Sequence, residues 1–317
     1  MRRLVTLTFF TLLFAVNLYS QNKTYANKII EELSSEAFSG RGYIKNGDIL
    51  SARYVSEKFK DHGLKPMKNS FLQPFEISIN TFPDTLEVFI DGQKLVPGQD
   101  YFVGGGSHGT KGLFELARID TAQLKNADQL SKTLGNKVVL LPDIAERDPR
   151  TYQLNAAGYV FTTSKKMIWR LSDATSVKPY FYIRCNDSVI KNAKQIEINI
   201  RNEFFQNYKT ANVIGMIEGA VEPDSFYVFT AHFDHLGKMG SNVIFPGAND
   251  NASGTAMILD LARHMSVHKP HYSVIFMAFA AEECGLFGSE YAANNLPIDK
   301  ENIKFLFNLD MVGTGSD

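Results

Sequence analysis

Cysteine is scarce: only Cys185 and Cys284 occur in 317 residues. A tetrahedral all-thiolate zinc site is therefore excluded, because it needs more sulfur than the chain has. One disulfide is the most the sequence allows, and none is expected, since Cys284 sits in an acidic stretch beside Glu283. An excess of one charge is also missing. Lys and Arg number 33 against 34 Asp and Glu, for a net charge of -1, so there is no basic field and nucleic acid is not an expected partner. Long apolar runs are confined to the first residues, and no later segment is long and apolar enough to span a membrane.

At 44% hydrophobic, the chain has material for a large core, and its length suits about two domains. Arg2 and Arg3 precede an apolar run from Leu4 to Leu18, and small Ser20 follows it. That is the order of a secretory signal peptide. Residues 1–20 are read as such a signal, cleaved near Ser20, and the protein as secreted or periplasmic with no stable membrane insertion afterwards. An uncleaved N-terminal anchor stays open, although no cysteine follows the run to carry a lipid.

Residues 21–70 read as helical. Ile29, Ile30 and Leu33 recur at helical spacing, as do Ile49, Ala52, Val55, Phe59 and Leu64, before the stop signals Gly63 and Pro66. Between them, Ser39 to Gly42 reads as a solvated glycine-rich turn around Arg41. Residues 71–208 change to short β-like runs, with Asp91-Gly92 as a hairpin signal and strands near 137–141 and 158–162. They read as a mostly β accessory domain. Gly105 to Gly109 matches a nucleophile-elbow pattern, but no helix start follows Ser107, so a plain turn is the better reading. From residue 209 strands and helices alternate: strands at 213–217, 226–230, 274–281 and 304–309, helices at 254–265 and 288–294. The fold class expected is α/β, a mixed sheet flanked by helices and buried on both faces, with ligands outside the carboxyl ends of its strands.

Chemistry gathers at those strand ends. Thr-Ala-His-Phe-Asp-His-Leu-Gly (230–237), Gly-Ala-Asn-Asp-Asn-Ala-Ser-Gly (247–254), Ala-Glu-Glu-Cys-Gly (281–285) and Asn-Leu-Asp-Met-Val-Gly (308–313) each follow or end an apolar run. His232 and Asp234 share a face in extended chain, so Asp234 can orient the imidazole. Asp250 lies in a glycine-flanked loop whose residues are also ordinary turn formers. Glu282 and Glu283 are adjacent and cannot share a face, so the pair suits two tasks, metal binding and proton transfer. Asp310 interrupts an apolar strand, where an unpaired carboxylate is costly unless it meets a cation.

In their order and spacing the four motifs resemble the secreted M28 zinc aminopeptidases, over residues 209–317 and more weakly over the N-terminal helices. The middle segment resembles a protease-associated domain. The resemblance implies two Zn2+ ions, with His232 and Asp310 on one, Glu283 on the other and Asp250 bridging. It implies Asp234 as the carboxylate orienting His232, Glu282 as general base, and a cis peptide between Asp250 and Asn251. His235 receives no ligand role. The family's remaining ligand is a histidine well downstream of the Asn308–Gly313 motif, whereas this sequence ends at Asp317, so the second ion is expected to lack an imidazole and the chain to be a fragment of such an enzyme.

The implied reaction is metal-dependent hydrolysis of the N-terminal peptide bond of a peptide substrate. Cobalt or manganese also suit an oxygen and nitrogen donor set. Two alternatives stay open at this stage: a glutaminyl cyclase-like enzyme with a single zinc, and a non-catalytic exported binding module. Side-chain preference and oligomeric state are not legible in the residues.

Overall fold

A computed structural model describes residues 22–84 and 86–314. The expected signal peptide, residues 1–20, lies outside the described residues. No helix among the described residues is long and apolar enough to cross a membrane.

Asn22 caps the first helix, Lys23–Leu33, by accepting the backbone N–H of Tyr25 at 3.0 Å. Its own N–H donates to Asp260 at 2.6 Å, which ties this helix to the later helix Gly254–Val267. A second helix, Gly47–Asp61, buries Ala52, Val55 and Phe59, as the periodicity predicts. The helices pack on a six-stranded sheet. Its order is Lys65–Pro66, Glu203–Ile217, Tyr272–Phe279, Glu222–His232, Ile303–Asn308, and Leu72–Thr81 also pairs along Glu203–Ile217.

The parallel part of this sheet decides where chemistry can occur. Strand Glu222–His232 runs parallel to both Tyr272–Phe279 and Ile303–Asn308, so their carboxyl ends open on one side. Ser273 to Ala278 are buried, with Phe276 tilted against Phe59 at 6.3 Å between rings. The outer strand differs from expectation. Phe305, Leu306 and Phe307 are exposed along it, so the sheet is covered on both faces only through its central strands.

The chain enters and leaves a second, eight-stranded sheet through the antiparallel pair Leu72–Thr81 and Glu203–Ile217. Asp91 and Gly92, both at positive φ, make the foreseen hairpin turn between Glu87–Ile90 and Gln93–Lys94. Four strands here run parallel, Thr110–Arg118, Val138–Pro142, Gly158–Thr163 and Phe181–Asn186, with short helical segments on the crossovers. Ser107 is buried in a turn: its hydroxyl donates to the His108 carbonyl and accepts the Tyr182 N–H. That is a structural role.

One apolar core runs through both sheets, from Val274 and Phe276 to Val138, Val160 and Ile183. The second sheet also covers the loop that follows strand Glu222–His232. Trp169 stacks on Phe245 at 4.8 Å, and Val103 N–H contacts the Met239 sulfur at 3.4 Å. Cys185 and Cys284 are both free and buried.

Candidate metal centre

His232 is the last residue of its strand, and four carboxylates from three other segments converge on it with its neighbour Asp234. Its Nε2 lies 3.3 Å from Asp250 Oδ1, 3.5 Å from Asp310 Oδ1 and 3.9 Å from Glu282 Oε2. The opposite ring nitrogen, Nδ1, lies 3.2 Å from the Asp234 carbonyl and 3.5 Å from its carboxylate. Glu283 stands on the other side of Asp250. Two groups of donor atoms result, each within 4.8 Å: His232, Asp250 and Asp310, and His235, Asp250 and Glu283. Asp250 is common to both.

All six residues singled out from sequence are thus brought to one place. Asp310, just past the outer strand Ile303–Asn308, comes within 3.5 Å of His232 with its side chain 44% exposed. His235, given no ligand role from sequence, lies beside the cluster as well. Its Nδ1 lies 2.6 Å from Glu283 Oε1. Alternation along an extended strand turns it away from His232, but the strand ends at His232 and the chain bends there.

Three buried polar side chains hold these donors. Asp234, fully buried, accepts the N–H of Glu282 at 3.2 Å and of Glu283 at 3.3 Å, so it fixes the acidic pair as well as facing His232. Asn251, also fully buried, donates to the Leu309 carbonyl at 3.0 Å and accepts from Gly254 at 2.9 Å and Met311 at 3.2 Å. It joins the Asp250 loop to the segment carrying Asp310. The Asp250-Asn251 peptide is cis, as the family resemblance implies.

Arg41 overturns the expectation of a solvated turn. It is 0% exposed and gives its guanidinium wholly to backbone carbonyls: Phe233 at 2.7 Å, Leu33 at 3.0 Å, Pro246 and Gly247 at 2.6 Å, and Asp250 at 3.2 Å. Its own carbonyl accepts the His235 N–H at 3.4 Å. Five donors in a rigid planar fork can satisfy several carbonyls at once, which a lone ammonium cannot do. Gly247, at φ 60°, must be glycine, because a Cβ would fall on His235, Asp250 and Arg41.

Electrostatics follow from this crowding. Burial disfavours the protonated His232, yet hydrogen bonds and charge from Asp234, Asp250 and Glu282 outweigh it and raise the imidazole to about 11. Asp250 is held below the usual carboxylate range, first by His232 and then by the charges of His235 and Arg41. Burial, reinforced by the charges of Asp234, Glu283 and Asp310 against the opposing His232, pushes Glu282 up to about 7. Burial lowers Arg41 to about 10, against the pull of Asp234, Asp250 and Glu283.

Do these residues suit a metal ion? The donors are carboxylate oxygens and imidazole nitrogens without thiolate, a set that zinc accepts. Carboxylates packed this closely repel one another unless positive charge lies among them. In addition, His235 Nδ1 and Glu283 Oε1 are buried without a hydrogen-bond partner, although they face one another. The residues fit a cation.

The α/β sheet gathers an imidazole and carboxylates where its parallel strands end. Residues 212–317 match the model of peptidase family M28. The recognition of an M28 zinc metallopeptidase from four short motifs is borne out over this segment. The chain is similar to a probable zinc metalloprotease of Leptosphaeria maculans, 37% identical over 110 residues, covering 34% of this chain and 26% of that one. It is 39% identical over 125 residues to the aminopeptidase YwaD of Bacillus subtilis, covering 38% and 26%. The matched stretch thus spans about a quarter of these curated relatives. Among solved structures, a zinc aminopeptidase from Bacillus subtilis superposes with a TM-score of 0.69 at 22% identity, over 92% of this chain and 70% of that one. A peptidase M28 precursor from Shewanella amazonensis gives 0.67 at 18%, over 90% and 70%. The α/β fold is theirs.

Proposed function

We propose that this protein contributes the catalytic centre of an aminopeptidase, hydrolysing the N-terminal peptide bond of a peptide substrate with two zinc ions. The observation that carries the reading is the sharing of Asp250 between two donor groups, one with His232 and Asp310, the other with Glu283. In this reading Asp250 would help to hold both ions.

Bound zinc would supply Lewis-acid polarisation of the scissile carbonyl and a lowered pKa for the attacking water. Glu282 is the proton carrier. Its carboxyl, pushed up to about 7, is matched to accepting a proton from water and returning it to the departing amine near neutral pH. With its side chain 32% exposed at the mouth of the cluster, it can reach both; Glu283 is turned inward, with 16% side-chain exposure. Asp234 holds His232 and the acidic pair in register, and Asn251 does so for Asp310. We further propose residues 71–208 as an accessory domain of the protease-associated kind, and residues 1–20 as an export signal leading to a secreted or periplasmic enzyme.

The test compares a leucine amide chromogenic substrate with its N-acetylated form, in the presence of zinc. Hydrolysis of the free-amine substrate alone is expected. Equal cleavage of both overturns N-terminal action, and zinc uptake without any cleavage overturns the catalytic reading. Glu282→Gln is expected to keep its zinc and lose turnover by about 100-fold or more, the usual range for a general base; wild-type turnover in this variant removes Glu282 from its role.

A further inference from the structure

We infer that a crevice in the second sheet binds a free α-amino acid, with Arg118 and Thr162 taking its carboxylate and Asp143 and Asp187 its ammonium. The inference stands apart from the hydrolytic reading and uses no residue of the metal centre.

The crevice lies where ligands collect in parallel sheets, outside the carboxyl ends of the strands. Thr110–Arg118, Val138–Pro142, Gly158–Thr163 and Phe181–Asn186 run parallel in that order, and the last residue of each lines it. Its volume is about 920 Å3, within the roughly 300–1,000 Å3 of ligand clefts. The stretch that follows the last of these strands returns to the first, where the carbonyls of Ile190 and Lys191 accept Arg118 Nη2 at 3.2 and 2.7 Å.

Three features of the lining select the ligand. First, that anchoring holds the guanidinium at the crevice while Nε and Nη1 make no hydrogen bond among the described residues. Those N–H donors are free for an oxyanion. Second, Thr162 is only 8% exposed and lines the same space, yet its hydroxyl has no partner among the described residues. A hydroxyl so placed takes its partner from whatever fills the crevice.

Third, both signs of charge border the space. Lys165, Lys191, Asp143 and Asp187 all line it, and none of them forms an ion pair among the described residues. A phosphate would bring its charge against two carboxylates, and a simple amine would meet three cations; like charges brought together cost affinity. A molecule with one carboxylate and one ammonium meets both signs, and the volume leaves room for its side chain.

The experiment is calorimetric titration of the zinc-loaded full chain with L-leucine. L-leucinol, which lacks the carboxylate, N-acetyl-L-leucine, which lacks the ammonium, and inorganic phosphate are the comparison probes. L-leucine is expected to bind, and leucinol and the acetylated form each to bind about 10-fold or more weakly, the loss of one charged contact. No heat from L-leucine at millimolar concentration overturns the inference, as does any comparison probe that matches it. The affinity is expected to be unchanged after zinc is removed with chelator. Binding that vanishes with zinc places the amino acid at the metal centre and overturns the crevice.

Arg118→Gln and Thr162→Val are each expected to weaken L-leucine by about 10-fold or more, with folding checked by circular dichroism. Wild-type affinity in both overturns the assignment. A readout that needs no variant decides the case even if neither folds: L-leucine is expected to shift the amide resonances of Thr162 and Ile190. Shifts confined to the neighbourhood of His232 and Glu283 overturn it.

Discussion

The Asp234 carboxylate accepts the backbone N–H of Glu283 at 3.3 Å, so the residue expected to orient a histidine also positions the acidic pair. Its other oxygen takes the Glu282 N–H and faces His232. Asp234→Asn keeps one acceptor and the shape but loses the charge. We expect a folded variant with zinc affinity weaker by roughly 10–100-fold, measured by competition with a chromogenic chelator. Asp234→Ala, which strands two buried N–H groups, is expected to lose roughly 2–6 kcal/mol of stability, at about 1–3 for each group. Urea unfolding curves that coincide with wild type contradict this account.

Asn251 offers a narrower test. It bridges the Asp250 loop to Leu309 and Met311 on either side of Asp310. Asn251→Asp retains the acceptor but cannot donate to the Leu309 carbonyl. The Asp310 segment is then expected to loosen, with faster amide hydrogen exchange at Met311 and weaker zinc binding at the His232 group. Unchanged exchange at Met311 argues against the bridge.

Arg41 makes the strongest stability prediction. Removing it leaves the buried carbonyls of Phe233 and Leu33, and the partly buried ones of Pro246, Gly247 and Asp250, without this donor. Arg41→Met is expected to cost on the order of 3–5 kcal/mol, as for breaking other buried charged networks. Arg41→Lys keeps the charge but not the fork, and is expected to recover less than half of that loss. Full recovery by lysine shows that charge alone matters, and that the carbonyl clamp does not.

These residues also mark where sequence was informative. His232, Glu282, Glu283 and Asp310 could be placed together because each closes or follows an apolar run that could only be a strand, and strand ends of parallel sheets face one cleft, whereas Asp250 lies in a glycine-flanked loop and rested on the motif it belongs to. The α/β order was legible for the same reason. Arg41 was not, because Ser39-Gly40-Arg41-Gly42 has the composition of a solvent loop; its burial depends on carbonyls about 200 residues away, such as Pro246 at a separation of 205. The contact of His235 with Glu283 was not legible either, because strand alternation ceases to apply after His232. Asp310 was found by an argument from burial that its exposure does not support. Local pattern locates donors; long-range packing decides what supports them.

The last prediction concerns acid. Asp48, at the start of the Gly47–Asp61 helix, is fully buried, and burial raises its carboxyl to about 6 despite donors at Tyr208, 2.7 Å, and Thr210, 2.8 Å. A folded-state pKa above the unfolded value of 3.8 means that the native state holds the proton more tightly. Its contribution to stability is therefore full below about pH 4 and is lost as pH rises through about 6. At 1.36 kcal/mol per unit, this amounts to about 3 kcal/mol. Asp48→Asn removes the charge to bury and keeps one acceptor oxygen, for Tyr208, while its amide N–H can donate to a reoriented Thr210 hydroxyl. Relative to wild type, the variant is expected to gain about 3 kcal/mol between pH 4 and pH 7, read from urea midpoints at each pH. Wild-type and variant stability profiles that run parallel across that window would falsify the assignment of a buried, proton-retaining carboxyl to Asp48.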